Sequence, residues 1–348
     1  MFSTFKINLE NLAVHFVGNK ADEEGIRLSN DVMHISDEHI KALLQQYFLS
    51  AFKSGEWYHL NHATEINLNE TFNFASHIFE NHDVFYANSV NFARHLYEQS
   101  THSKIKPGEL YVALFTGVII DNEEMDAIGL SKSESKETYL KVSQTSDNYS
   151  INQDEGININ KLDKGCMIFN TLRNEGYLVA LVDTAGKGSE AVYWKDDFLN
   201  VVPRSDDFHH TKNALTMARN FVVEKLPQEF DVSKADQADM LNKSVKFFKE
   251  NESYTFDDFA QVVMQQPQVI ESFNEYKHQF QSDNDLTMPD DFDINGQAVK
   301  QQSRNFKSVI KLDRNFHVYI HGDRDKLIKG VDAETGLHYY QLLFEKEL

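Results

Sequence analysis

Residues 157–200 read ININKLDKGCMIFNTLRNEGYLVALVDTAGKGSEAVYWKDDFLN, and the chain is organised around this stretch. It holds two short apolar runs, Gly165–Phe169 and Tyr177–Val182. The second, bounded by Gly176 and Asp183, predicts a strand buried on both faces. Thr184–Ser189 predicts a flexible turn, and Ala191–Trp194 a returning strand. A strand–turn–strand unit this apolar needs cover on both sides, so flanking helices are expected to pack on it.

Towards the N-terminus, Leu12–Val17 and Gly25–Leu28 predict strands parted by a turn at Gly18-Asn19-Lys20. Ser36 is expected to cap a helix whose stripe is Ile40, Leu43, Leu44, Tyr47, Phe48 and Ala51. From Glu70 to Thr101 the helical spacing returns with a break near Asn81-His82-Asp83, which predicts a helical hairpin. Leu110–Ile120 is apolar on both faces and predicts a central strand. The polar segment Glu123–Lys136 predicts a loop or hairpin, Thr138–Gln144 a half-exposed strand, and Asn148–Gln153 a further short one.

Towards the C-terminus, Ser205-Asp206-Asp207 opens a helix ending by Pro227. Ser233 with Asp236 and Thr255 with Asp258 have capping-box spacing, and Pro267 opens another helix, so 206–282 is expected to be all-helical. Residues 283–295 are acidic and read as a connector. Phe306–Leu312, Phe316–His321 and Tyr339–Phe344 predict strands. The expected fold is α+β: a mixed, largely antiparallel sheet with packed helices, then a helical segment and a small C-terminal β unit. The expected domains are 1–226 and 227–348, the latter split into helices 227–282, connector 283–295 and β unit 296–348.

The chain has 348 residues, 34 Lys and Arg against 54 Asp and Glu, and a formal charge of −20. Such a surface repels duplex DNA on average, so direct DNA contact requires a local basic patch. A single cysteine, Cys166, excludes an intramolecular disulfide and a thiolate metal cluster, which fits a reducing, cytoplasmic compartment. The start of the chain lacks the apolar core of a signal peptide. The longest apolar run, Leu110–Ile120, falls short of the roughly 18 residues of a membrane helix, so no membrane association is expected.

The best local basic feature is Arg304–Lys329, with Lys307, Lys311, Arg314, Arg324 and Lys326 as candidate phosphate contacts; edge strands also carry lysine simply to block aggregation. Trp194, Asp196 and Asp197 are a candidate partner-binding cluster, an exposed Trp beside acids suiting a basic protein. The same Asp pair has two other readings: turn capping, and acid–base or Mg²⁺ chemistry. His317 and His321 lie about 13 Å apart along a strand, too far to share a metal ion. His59 with His62, and His209 with His210, lack the converging ligands of a metal site. Gly186-Lys187-Gly188-Ser189 fails the phosphate-loop pattern, which needs Gly at 181 and Ser or Thr at 188. Cys166 is expected to be a buried, inert thiol.

Four stretches give the chain a resemblance: Leu12–Ser29 (LAVHFVGNKADEEGIRLS), Phe92–Tyr111 (FARHLYEQSTHSKIKPGELY), Asp163–Leu199 ending in YWKDDFL, and Phe306–Gly322 (FKSVIKLDRNFHVYIHG). In this order they resemble the bacterial nucleoid-associated proteins of the NdpA type, and YWKDDFL is the most specific. The resemblance implies presence in the bacterial nucleoid and carries no assigned catalytic residues, metal or cofactor. The resulting expectation is a non-enzymatic binding protein acting in chromosome organisation. It would reach the chromosome through a DNA-bound protein such as a topoisomerase, or through a basic patch on DNA itself. A homo-oligomer would let a modest patch act bivalently. The alternative is a metal-dependent hydrolase acting on nucleic acid or nucleotide, using Asp196 and Asp197.

Overall fold

The computed structural model describes residues 7–52, 55–120, 122–144, 146, 148–184, 192–306, 309–319 and 326–346. The chain forms two compact units, Met1–Arg204 and Ser205–Leu348. The break falls before the boundary expected at 226/227, because the helix Asp207–Asn220 buries Ala214, Leu215, Met217 and Ala218 in the second unit's core.

In the first unit, strands β1 (Asn8–Val17) and β2 (Ile26–Arg27) precede helix α1 (Glu38–Leu49) and strand β3 (Tyr58–Leu60). Helices α2 (Glu70–Glu80) and α3 (Phe85–Gln99) follow, then β4 (Gly108–Ile120), β5 (Glu123–Ser133), β6 (Glu137–Gln144) and β7 (Tyr149–Gly156). β8 (Lys164–Phe169), β9 (Leu178–Asp183), a π-helical turn Tyr193–Leu199 and β10 (Val201–Pro203) complete it. Eight strands make one antiparallel sheet in the order β10-β3-β9-β8-β5-β4-β1-β2.

The alternation of β4 explains its double-sided apolarity. Leu110, Val112 and Leu114 face a core shared with α2 and α3, whereas Ala113 and Phe115 face one shared with Tyr47 and Phe48 of α1. β8 and β9 split in the same way, Cys166 and Ile168 to one side and Met167 and Phe169 to the other. The helices therefore cover both faces, as the apolar runs require. Each fully buried Val, Leu, Ile, Met or Phe side chain among these stabilises the fold by about 1.5–3 kcal/mol.

Several expectations are corrected. Glu123–Lys136 is mostly strand β5, paired along its length between β4 and β8. Its polar residues Ser131, Lys132 and Ser133 are buried, and distant parts of the chain supply the partners of Lys132. Ala191 of the expected strand Ala191–Trp194 lies outside the described residues, and its end is not strand: Tyr193–Leu199 is π-helical, and β9 pairs with β8 and β3. The cap of α1 is Asp37, not Ser36: its carboxylate accepts from the His39 and Ile40 amides.

The second unit holds α4 (Asp207–Asn220), α5 (Leu226–Glu229), α6 (Lys234–Glu250), strand β11 (Ser253–Thr255), α7 (Phe256–Val263) and α8 (Pro267–Asp283). Then come β12 (Asp291–Asp293), α9 (Gly296–Gln302), and the hairpins β13 (Val309–Leu312) with β14 (Phe316–Tyr319) and β15 (Leu327–Val331) with β16 (His338–Leu342). The Ser233–Asp236 capping box is complete; at Thr255 the hydroxyl caps the Asp258 amide. The stretch expected to be all-helical contains β11, which pairs with β12 in the expected connector. The whole is α+β, with nine helices and sixteen strands among the described residues.

Candidate functional site

Three of the four stretches behind the resemblance converge in the first unit. β1 pairs with the start of β4, Val17 opposite Gly108. Beyond β1, Asn19 Nδ2 donates to the carbonyls of His102 and Ile105 at 2.9 and 2.8 Å. His95 Nε2 lies 2.9 Å from the Phe198 carbonyl, which ties α3 to YWKDDFL.

YWKDDFL itself is anchored by three charged residues, Lys132, Lys164 and Asp183, in one row across the sheet. Leu110, Lys132, Lys164 and Asp183 stand opposite one another on β4, β5, β8 and β9, on the face that α2 and α3 cover. The Lys132 side chain is fully buried; its Nζ donates to the Lys106 carbonyl at 2.7 Å and Tyr193 Oη at 3.1 Å, and lies 3.2 Å from Glu134. Tyr193 Oη donates to Glu134 at 2.8 Å. Lys164 Nζ donates to both Asp183 oxygens at 3.0 Å. Both ammonium groups sit 5.2–5.4 Å from the Tyr193 ring centroid.

Burial lowers the Lys132 pKa against the pull of Glu134, and raises that of Tyr193 well above its ordinary value. Two cations meet two carboxylates here, so the network carries no excess charge to hold an anion. Its physical effect is to clamp the Tyr193–Leu199 turn onto the sheet. Sequence reading missed it because β5 looked like a loop. The one available signal was Lys132 directly after the apolar alternation of Ile128 and Leu130.

The proposed partner cluster divides. Trp194 is 1% exposed and packs on Phe198 at 5.0 Å, so the exposed-tryptophan expectation is corrected: the ring belongs to the core. Asp196 and Asp197 are exposed on the same turn. Among the described residues no group of three or more His, Cys, Asp or Glu is placed to hold a metal ion. His59 lies on β3 rather than a helix, and His209 contacts Asn213 while His210 packs on Phe292. Cys166 is buried, and burial pushes its thiol pKa up.

In the C-terminal β unit, Lys311 on β13 stands opposite His317 on β14, both exposed, and Arg314 is exposed in the turn between them. Lys326 is exposed, 3.9 Å from Glu345. Lys307, His321 and Arg324 lie outside the described residues, as does Gly186–Ser189. The unit is also apolar at its surface: Phe316, Tyr319 and Phe344 are 63–73% exposed.

A second apolar surface was not anticipated. β6 and β7 form a separate two-stranded sheet with Leu140 opposite Gln153, Val142 opposite Ile151 and Gln144 opposite Tyr149. Leu140, Val142, Tyr149 and Ile151 therefore share one face, and each is 61–72% exposed. The opposite face carries Lys141, Asn152 and Asp154. An amphipathic hairpin with its apolar face uncovered is the form an interaction surface takes.

Against known proteins, the model of the nucleoid-associated protein YejK family matches residues 13–336. The chain belongs to the nucleoid-associated protein YejK family. Membership of the YejK family gives the chain a nucleoid-associated role and a location in the nucleoid. The match reaches into both compact units, so the exposed hairpin, the clamped YWKDDFL turn and the C-terminal β unit as far as residue 336 fall inside it. No curated protein matches the chain. No helix among the described residues is long and apolar enough to cross a membrane.

Proposed function

We propose that the protein works on the nucleoid as a binding protein and reaches the chromosome through a DNA-bound protein partner. The observation that carries this reading is the uncovered apolar face of the β6–β7 hairpin, Leu140, Val142, Tyr149 and Ile151. Aliphatic and aromatic side chains without a cation among them match a protein surface and have nothing to offer a phosphate. The formal charge of −20 acts in the same direction, since it opposes approach to bare DNA. A chromosome-bound enzyme such as a topoisomerase is one partner of this type, and the outcome is a contribution to chromosome organisation.

A direct contact is the second reading, and charge distribution favours it locally. Residues 296–348 hold nine Lys and Arg against seven Asp and Glu, a formal +2 in a strongly acidic chain. Lys311, Arg314 and Lys326 are among its exposed cations. The same C-terminal region would act bivalently in a homo-oligomer.

Two measurements separate the readings. Photo-crosslinkers at positions 142 and 151 should capture a DNA-binding protein in cells, and Val142→Asp should abolish the capture from position 151. Purified protein titrated with duplex DNA across a salt series should show no binding at physiological salt. Tight binding that falls steeply with salt and is lost on Lys311→Glu with Arg314→Glu would replace the first reading by the second.

A further inference from the structure

A pocket of about 420 Å³ opens in the second unit. Thr216 and Arg219 of α4 line one side, and Gln302, Arg304 and Asn305 at the end of α9 line the other. Two guanidinium groups and two side-chain amides meet there with no carboxylate, in a chain that carries 54 acidic residues. Local charge of this sign is unusual for this molecule and concentrates anions.

The donors are held in place by one another. Arg219 Nε donates to the Asn305 carbonyl at 3.2 Å, and its Nη1 donates to Asn220 Oδ1 at 3.1 Å. Asn305 Nδ2 donates to Gln302 Oε1 at 3.1 Å. These bonds consume the acceptors Asn305 O and Gln302 Oε1. They leave the second terminal nitrogen of Arg219 and the amide nitrogen of Gln302 as donors. Arg304 is exposed and makes no ion pair among the described residues. Apart from the Asn305 side-chain oxygen and the Thr216 hydroxyl, what remains available in the pocket is donors, with two positive charges: the complement of an oxyanion with several acceptor oxygens.

We propose that this pocket binds a small phosphate-bearing molecule, its phosphate gripped by Arg219 and Arg304 and steered by the Gln302 amide. The volume lies in the range of small-molecule sites and exceeds what a phosphate ion alone fills. No aromatic side chain lines the pocket to stack on a base, so the grip is on the phosphate and not on a nucleobase. This site is separate from the exposed hairpin and does not depend on how the protein reaches the chromosome.

The test is calorimetric titration and thermal melting of the full chain with inorganic phosphate, against sodium chloride at matched ionic strength, then with adenosine monophosphate. Phosphate should bind and raise the melting temperature beyond chloride. Arg304→Gln should weaken binding by about tenfold or more, as expected for loss of a charge-assisted contact. Arg304→Lys, which keeps the charge and loses the fork, should recover part of it. Because Arg304 is exposed, both variants should melt like the parent without ligand. Equal affinities for phosphate and monophosphate assign the free ion; tighter monophosphate binding assigns an organic phosphomonoester. A phosphate effect no larger than that of chloride, or full binding by Arg304→Gln, overturns the proposal.

Discussion

His15 makes two contacts that only its neutral ring can make together. The Ser29 amide donates to Nδ1 at 3.2 Å, so that nitrogen must be the acceptor. Nε2 lies 3.0 Å from Ser89 Oγ, whose own proton goes to the Tyr86 carbonyl at 2.7 Å, so Nε2 carries the hydrogen. Burial lowers the pKa of His15 below its ordinary 6.5. The unfolded chain therefore takes up a proton that the folded one refuses, and stability present above 6.5 is lost as pH falls towards the folded value. Urea midpoints should decline from about pH 7 to 5, and His15→Gln should flatten that decline; an unchanged slope would leave it to His59 and His210, whose pKa values are lowered too. Lys132 makes the same point with larger stakes. Lys132→Ala leaves Glu134 without its buried partner and should cost about 3–5 kcal/mol in chemical denaturation. Lys132→Met combined with Glu134→Gln, which removes both charges, should cost clearly less.

At the scale of elements, legibility in the sequence depended on where each residue finds its partner. β4, β8 and β9 were readable because short apolar runs have one stable use, burial on both faces of a sheet. The helical hairpin α2–α3 was readable from its periodic stripes. β5 was not, since Ser131, Lys132 and Ser133 are polar letters in a buried strand, and Lys132 finds partners far along the chain at Lys106 and Tyr193. Tyr193–Leu199 was misread for another reason. Its aromatic residues favour strand, yet the buried pairs Tyr193/Phe198 and Trp194/Leu199 are five apart, the spacing of the i→i+5 bond in a π-helix. The candidate site suffered accordingly: Trp194 was chosen as surface, whereas the exposed apolar face of β6–β7 was hidden in a strand that looked merely half-exposed. That face yields a sharp expectation. Val142→Asp removes exposed apolar surface, so it should shift the melting temperature little, within about 0.5 kcal/mol of stability. A large loss of stability would mean that the face is already covered within the folded protein.

The whole molecule has a simple alkaline weakness. Burial is the leading cause of raised pKa values at Tyr47, Tyr58, Tyr111, Tyr177, Tyr193, Tyr254 and Tyr276, with Tyr47 pushed up to about 12. The folded chain keeps protons that the unfolded chain releases near 10, so stability falls as pH rises past 10. Lys132, lowered by burial, acts in the opposite direction, but it is one group against seven. Tyrosinate absorbance should therefore titrate in two groups, the second emerging only as helical circular dichroism collapses; a single transition near pH 10 with helicity intact would contradict it. The two ends of the large sheet bear on a different matter. β2 is two residues long and β10 three, ending in Pro203. Short borders of this kind leave little backbone for another chain to extend. Molecules gathered at high density along a chromosome can then crowd against one another without their sheets joining end to end into fibres, and remain individually exchangeable.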